Sequence, residues 1–176
     1  MNDAHGDRKS AGIRTWLRQS MQPKAMTIEQ RETAQDAYKR LLNDSLSPAF
    51  RKRRFSGSAG RYSLSSKTHW ALLGFQKSAY SDRDSIKFTI NVMVVLRSDW
   101  DQFRALSPAS PARPTPNAHY SREIGGERIG MLDPVNRRDK WWTLQPGSNL
   151  ESIAADVLHD VDHWALPWMQ VQITEP

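Results

Sequence analysis

HWALLGFQKSAYSDRDSIKFTINVMVVL, residues 69–96, decides the fold. Two apolar runs flank a polar turn. In the second run Ile86, Phe88, Ile90, Val92, Val94 and Leu96 fall on one side, and Lys87, Thr89, Asn91, Met93 and Val95 on the other. A period of two is the pattern of a half-buried strand. The stretch therefore predicts a central hairpin around which the remaining elements are arranged.

The chain has 176 residues, enough for one domain with a real core and a tail. Hydrophobic residues make up 38% and charged residues 25%, which suits a globular rather than a disordered chain. No run approaches the roughly 18 uninterrupted apolar residues of a membrane span. The opening MNDAHGDRKS lacks the apolar core of a secretory signal, so a cytoplasmic location is expected. Cysteine is absent, which excludes disulfides and thiolate metal sites. The net charge of +6 is unevenly placed. Residues 1–54 hold 12 Lys and Arg against 6 Asp and Glu, whereas residues 55–176 hold 13 of each. A neutral body with a basic arm attracts polyanions weakly and without sequence choice, through Arg51, Lys52, Arg53 and Arg54 among others.

Residues 1–26 read as a flexible basic tail, and Met26, followed by TIEQ, as an alternative start. Ile13, Trp16, Leu17 and Met21 share a helical spacing there, but a helix so short is marginal alone. Thr27 and Gln30 form a capping box for a helix expected to run to about Ser45, with Ser47-Pro48 as its stop. AFRKRRFSG and GRYSLSS read as two short strands, the basic run protecting an edge. After the central hairpin Ser98 is expected to cap a short helix holding Trp100, Phe103 and Leu106. Residues 107–117 carry four prolines and read as an extended or mobile spacer loop. REIGGERIGML and DKWWTL predict two more strands. A last helix capped by Ser148 or Asn149 should end at Pro167, leaving an extended piece from Trp168 to Ile173.

GFQKS, KFTINV, RIGML, DKWWTL and a terminal helix running into ALPW, in that order, resemble the bacterial domain-of-unknown-function family 4304. FRKRRF and RYSL resemble the family's opening strand pair. The resemblance spans roughly residues 30 to 170 and implies a compact α+β domain. It brings no activity, ligand or catalytic residue with it.

Polar residues inside the expected strands are the candidate binding set: Gln76, Lys77, Asn91, Arg128 and Trp142, or Trp141 if the faces are reversed. An amide at Asn91 must find a partner if buried, and the fork of Arg128 suits a carboxylate or phosphate. The competing structural reading has both amides satisfying neighbouring groups and Arg128 pairing with Asp139. Adjacent on a strand, Trp141 and Trp142 should point to opposite faces. Asp156, His159 and His163 share one side of the last helix, but that side lies away from the apolar stripe and should face solvent, so no metal site is expected. No phosphate loop or nucleophile elbow is present, and no cofactor is expected.

The sequence thus predicts an α+β fold: one mostly antiparallel sheet over 27–176, with N- and C-terminal helices packed on one face. The function expected is non-catalytic protein or peptide binding by an open sheet face. The alternative is a small enzyme acting on an anionic substrate, with Arg128 and Lys77 as charge stabilisers. A nucleic-acid binder rests on the basic arm alone.

Overall fold

The computed structural model describes residues 32–174. The expected tail and the Thr27–Gln30 capping box lie outside them. The elements run α1 (Ala34–Arg40), a π turn (Leu41–Leu46), α2 (Ser47–Lys52), β1 (Ser56–Ser58), β2 (Arg61–Leu64), β3 (His69–Lys77), β4 (Ile86–Leu96) and α3 (Arg97–Leu106). There follow β5 (Glu127–Arg128), a 3-10 turn (Ile129–Met131), β6 (Trp142–Leu144), α4 (Leu150–Asp160), a second π turn (Val161–Ala165) and α5 (Leu166–Thr174). The architecture is α+β. Six antiparallel strands form one sheet in the order β1-β2-β3-β4, and β5 and β6 share the far edge of β4.

The central hairpin pairs all of β3 with β4, from His69 opposite Leu96 to Lys77 opposite Phe88. One sheet face presents Ala71, Leu73, Phe75, Ile86, Phe88, Ile90 and Val92 to the N- and C-terminal helices, and this is the main core. Phe50, Tyr62, Phe75, Phe88 and Trp142 form a chain of ring contacts through it.

Both prolines expected to stop helices are instead absorbed. Ser47-Pro48 and Leu166-Pro167 each follow a π turn and occupy the first two positions of the next α segment. In each case the residue before proline donates its N–H five residues back, Ser47 to Leu42 and Leu166 to Val161. The wider turn accommodates a residue that has no N–H to donate and whose ring would crowd an α turn. Ser47 is further held by its hydroxyl on the Leu42 carbonyl and on the Tyr62 phenol, each at 2.7 Å.

The basic run is not a strand. Phe50 to Phe55 closes α2 with a Schellman cap: Arg54 donates to the Arg51 carbonyl and Phe55 to that of Phe50. The two phenyl rings meet edge to face at 5.7 Å, the apolar contact that accompanies such a cap. Arg54 takes the left-handed position, φ 66°, where glycine is usual. Arg53 turns back to chelate Asp162 with two guanidinium nitrogens. α1 opens at Thr33, whose hydroxyl caps Asp36 in a reciprocal box. α3 is entered from Leu96 without a side-chain cap, and Ser98 lies inside it.

The second sheet face is only partly open. Leu72, Met93 and Val95 are buried beneath Trp100 of α3 and Ile124, with Trp70, Phe103 and Tyr120 packed around them. The proline-rich segment is part of this cover rather than a spacer. Its Ala112 carbonyl accepts the Trp100 indole N–H at 3.3 Å, and Pro114 and Pro116 are buried. It crosses the sheet at Gly74, where a Cβ would come within 2.8 Å of Pro116. A glycine there is what allows the loop to lie flat on the strand.

Candidate functional site

The loop crossing at Gly74 divides the second face. On one side lie the polar strand residues. Asn91, 5% exposed, donates to the Gln76 side-chain carbonyl at 2.7 Å and to that of Asn117 at 3.0 Å. Asn117 in turn donates to the Phe75 carbonyl. Gln76 and Asn91 thus anchor the loop. Their amide groups meet each other's needs, as buried amides must. Arg128 faces Asn91 across the ladder and binds Asp139. Its guanidinium carbon sits 4.7 Å from the centre of the Trp141 ring, with Lys87 5.6 Å away. Burial works against the charge of Asp139, but Trp141 and Arg128 outweigh it and hold the carboxyl below its usual range.

The remaining two members of the expected set are on the other face. Lys77 opposes Phe88, bonds to Gln35 and lies over the Tyr38 ring. Trp142 is buried at 6% exposure, stacked on Phe88, with its N–H on Asp156 at 2.7 Å. Gln76, Asn91, Arg128 and Trp141 are therefore gathered on one face, and Lys77 and Trp142 are separated from them. Lys77 and Arg128, the two charges of the expected enzyme alternative, lie on opposite faces of the sheet.

Asp156, like His159 and His163, is exposed as expected, but it is not without partners. It accepts from Lys140 as well as from Trp142. Burial raises its pKa, and these two bonds with the Lys140 charge bring it below the ordinary value. Lys140 also reaches Asp160, which is 4% exposed, at 2.7 Å. His159 and His163 stack on each other at 4.1 Å between ring centres. This cluster ties the last helix to the strand before it.

On the other side of the loop lies a groove. About 590 Å3 of space opens between the β1–β2 hairpin and the loop, floored by Leu72 and walled by Arg61, Arg113 and Pro114. A smaller cleft of about 200 Å3 shares Ser56, Ser63, Leu72 and Arg113 with it and continues to Trp70 and Arg97. None of the residues lining either cavity is acidic. Trp70 lies between two cations, with the guanidinium carbon of Arg97 at 3.8 Å from its ring centre and that of Arg113 at 5.3 Å. Arg97 donates to the Ser66 carbonyl, and its Nε is buried with no partner. Arg61 and Arg113 form no ion pair among the described residues.

Residues 46–171 match the family DUF4304, a domain of unknown function. The chain belongs to that family. The match begins inside the first π turn and takes in the whole sheet, the loop and the groove. The DUF4304 domain thus supplies every lining residue of both cavities. No curated protein and no solved structure shows a significant match to the chain. Within the domain, Trp70 shares the strand parity of Gln76 and was legible as a second-face residue. Arg113 was not. Nothing in a proline-rich loop says which part of a sheet it crosses.

Proposed function

We propose that this DUF4304 domain is a non-catalytic binding module that takes an acidic, extended peptide in the groove between the β1–β2 hairpin and the proline-rich loop. The observation that carries the reading is the lining: Arg97 and Arg113 lie over Trp70, and Arg61 lines the adjoining groove with Arg113, with no carboxylate among them. Guanidinium forks recognise carboxylates in two-point contacts, and here two of them have no internal partner to displace. The apolar floor at Leu72 and the serines of the hairpin suit a peptide rather than a bare ion. Gln76, Asn91 and Asn117 act in this reading by fixing the loop that forms one wall. Arg128 and Trp141 lie beyond the loop, where a longer ligand would meet them.

The test is a titration of the full chain with a labelled peptide of alternating Glu and Ser, followed by anisotropy. Arg113→Ala should weaken binding about tenfold, as loss of one charged anchor does, and a Lys-Ser peptide should not bind. Equal binding of both peptides, or no effect of Arg113→Ala, would sink the reading.

A further inference from the structure

A second surface lies on β4, at the opposite edge from the groove. Ser78 donates to Lys87 and Arg97 to Thr68. These bonds fix the ladder parity, so odd-numbered residues of β4 bond to β3 and even-numbered ones turn their N–H and C=O to the far edge. Along that edge β6 serves Ile86–Phe88 and β5 serves Asn91–Val92. Past Val92 no strand of the described residues follows. The chain before Glu127 bends away: Tyr120 and Ser121 both donate to the Ile124 carbonyl, closing a local turn. No ladder pairing on that edge and no loop bond reaches the N–H and C=O of Val94 or the N–H of Leu96 among the described residues.

What stands there instead is a cavity of about 570 Å3, lined by Val94 to Leu96, by Phe103 and Leu106 of α3, and by Glu123 and Ile124. Leu106 is 86% exposed. The charged residues of the lining are Asp99 and Glu123, and neither has an ion-pair partner among the described residues. Lysine and arginine are absent from it.

We infer that the free β4 edge at Val94–Leu96 is a docking site for an extended peptide segment that carries apolar and basic residues two positions apart, on one face. The backbone of such a segment completes the ladder at Val94 and Leu96. Alternate side chains then fall on the α3 side, where an apolar one meets Phe103 and Leu106. A lysine or arginine two residues along falls on the same side and reaches Asp99 or Glu123. An acidic segment is repelled by the same two carboxylates, so the partner differs in charge from the ligand of the arginine groove. An unprotected edge beside an exposed leucine is otherwise a liability for aggregation.

The experiment uses the full chain, isotopically labelled, and three acetylated hexapeptides. One, the Lys-Val peptide, has Val and Lys in turn at every other position with Ser between them; a second replaces Lys by Glu; and a third carries N-methyl groups on alternate amides of the first. Amide exchange is read residue by residue. The Lys-Val peptide should slow exchange at Val94 and Leu96 about tenfold or more. The Glu-Val and N-methylated peptides should not. Leu106→Lys, at an exposed position that leaves the fold intact, should weaken the Lys-Val peptide by about tenfold, and Arg113→Ala should leave it unchanged. Protection that survives N-methylation, or that the Glu peptide produces equally, would overturn the inference. So would sedimentation showing that the free chain dimerises with Val94 and Leu96 already protected, because the edge would then belong to a second copy.

Discussion

Trp141 and Trp142 are neighbours with unequal work. Trp142 stacks on Phe88 in the main core and closes a hydrogen bond on Asp156, whereas Trp141 lies half-buried on the far face between Arg128 and Lys87. Removing a buried indole leaves a cavity and here also a carboxylate oxygen without its donor. Trp142→Ala should lower the unfolding free energy by about 3–5 kcal/mol, and Trp141→Ala by about 1 kcal/mol. Urea denaturation of the two variants decides it, and equal losses would contradict the assignment of faces. Arg54 gives the opposite kind of change. Its left-handed backbone is a place for glycine, so Arg54→Gly should raise stability by about 0.5–1 kcal/mol, read as a higher urea midpoint. That position also shows a limit on reading the sequence. Phe50 and Phe55 bracket a helix cap, but with arginine at the turn the usual glycine signal is missing.

At the scale of elements, the central hairpin and the last helix were legible because their periodicity is long and clean. Their ends were not. Pro48 and Pro167 both read as stops, and a π turn defeats that reading twice, since hydrogen bonds to the fifth residue back leave no mark in composition. The join of the two helical regions is testable. Arg53 on the cap of α2 grips Asp162 in the second π turn, and these bonds are the largest cause holding the Asp162 carboxyl below its ordinary value of 3.8. A depressed carboxylate contributes its stability fully above the ordinary value and loses it as pH falls through the folded one. Asp162→Asn should therefore flatten the acid limb of a stability profile below pH 3.8. An unchanged limb would mean that the pair contributes nothing measurable. The same pairing removes Arg53 from the basic run, leaving Arg51, Lys52 and Arg54 exposed. Neutralising those three should cut heparin retention of the full chain while Arg53→Gln does not.

Across the whole molecule, the decisive feature is that both sheet faces are covered, one by paired helices and the other in part by α3 and the proline-rich loop. The composition of that loop suggested a spacer. Its anchor points, the Trp100 indole on Ala112 and Asn117 on Asn91, are single contacts over long sequence separations that periodicity cannot show. With the loop in place, a broad open face becomes an arginine-lined groove beside Trp70. Replacing residues 108–116 by a Gly-Ser linker should expose Leu72, Met93 and Val95 and increase dye binding to apolar surface. The most direct test of the groove itself is the indole N–H spectrum of the full chain during titration with the Glu-Ser peptide. The Trp70 resonance should move first and saturate, with Trp142 unmoved and Arg113→Ala needing about tenfold more peptide for the same shift. Movement of Trp141 with Trp70 unchanged would place the ligand on the other side of the loop and contradict the account.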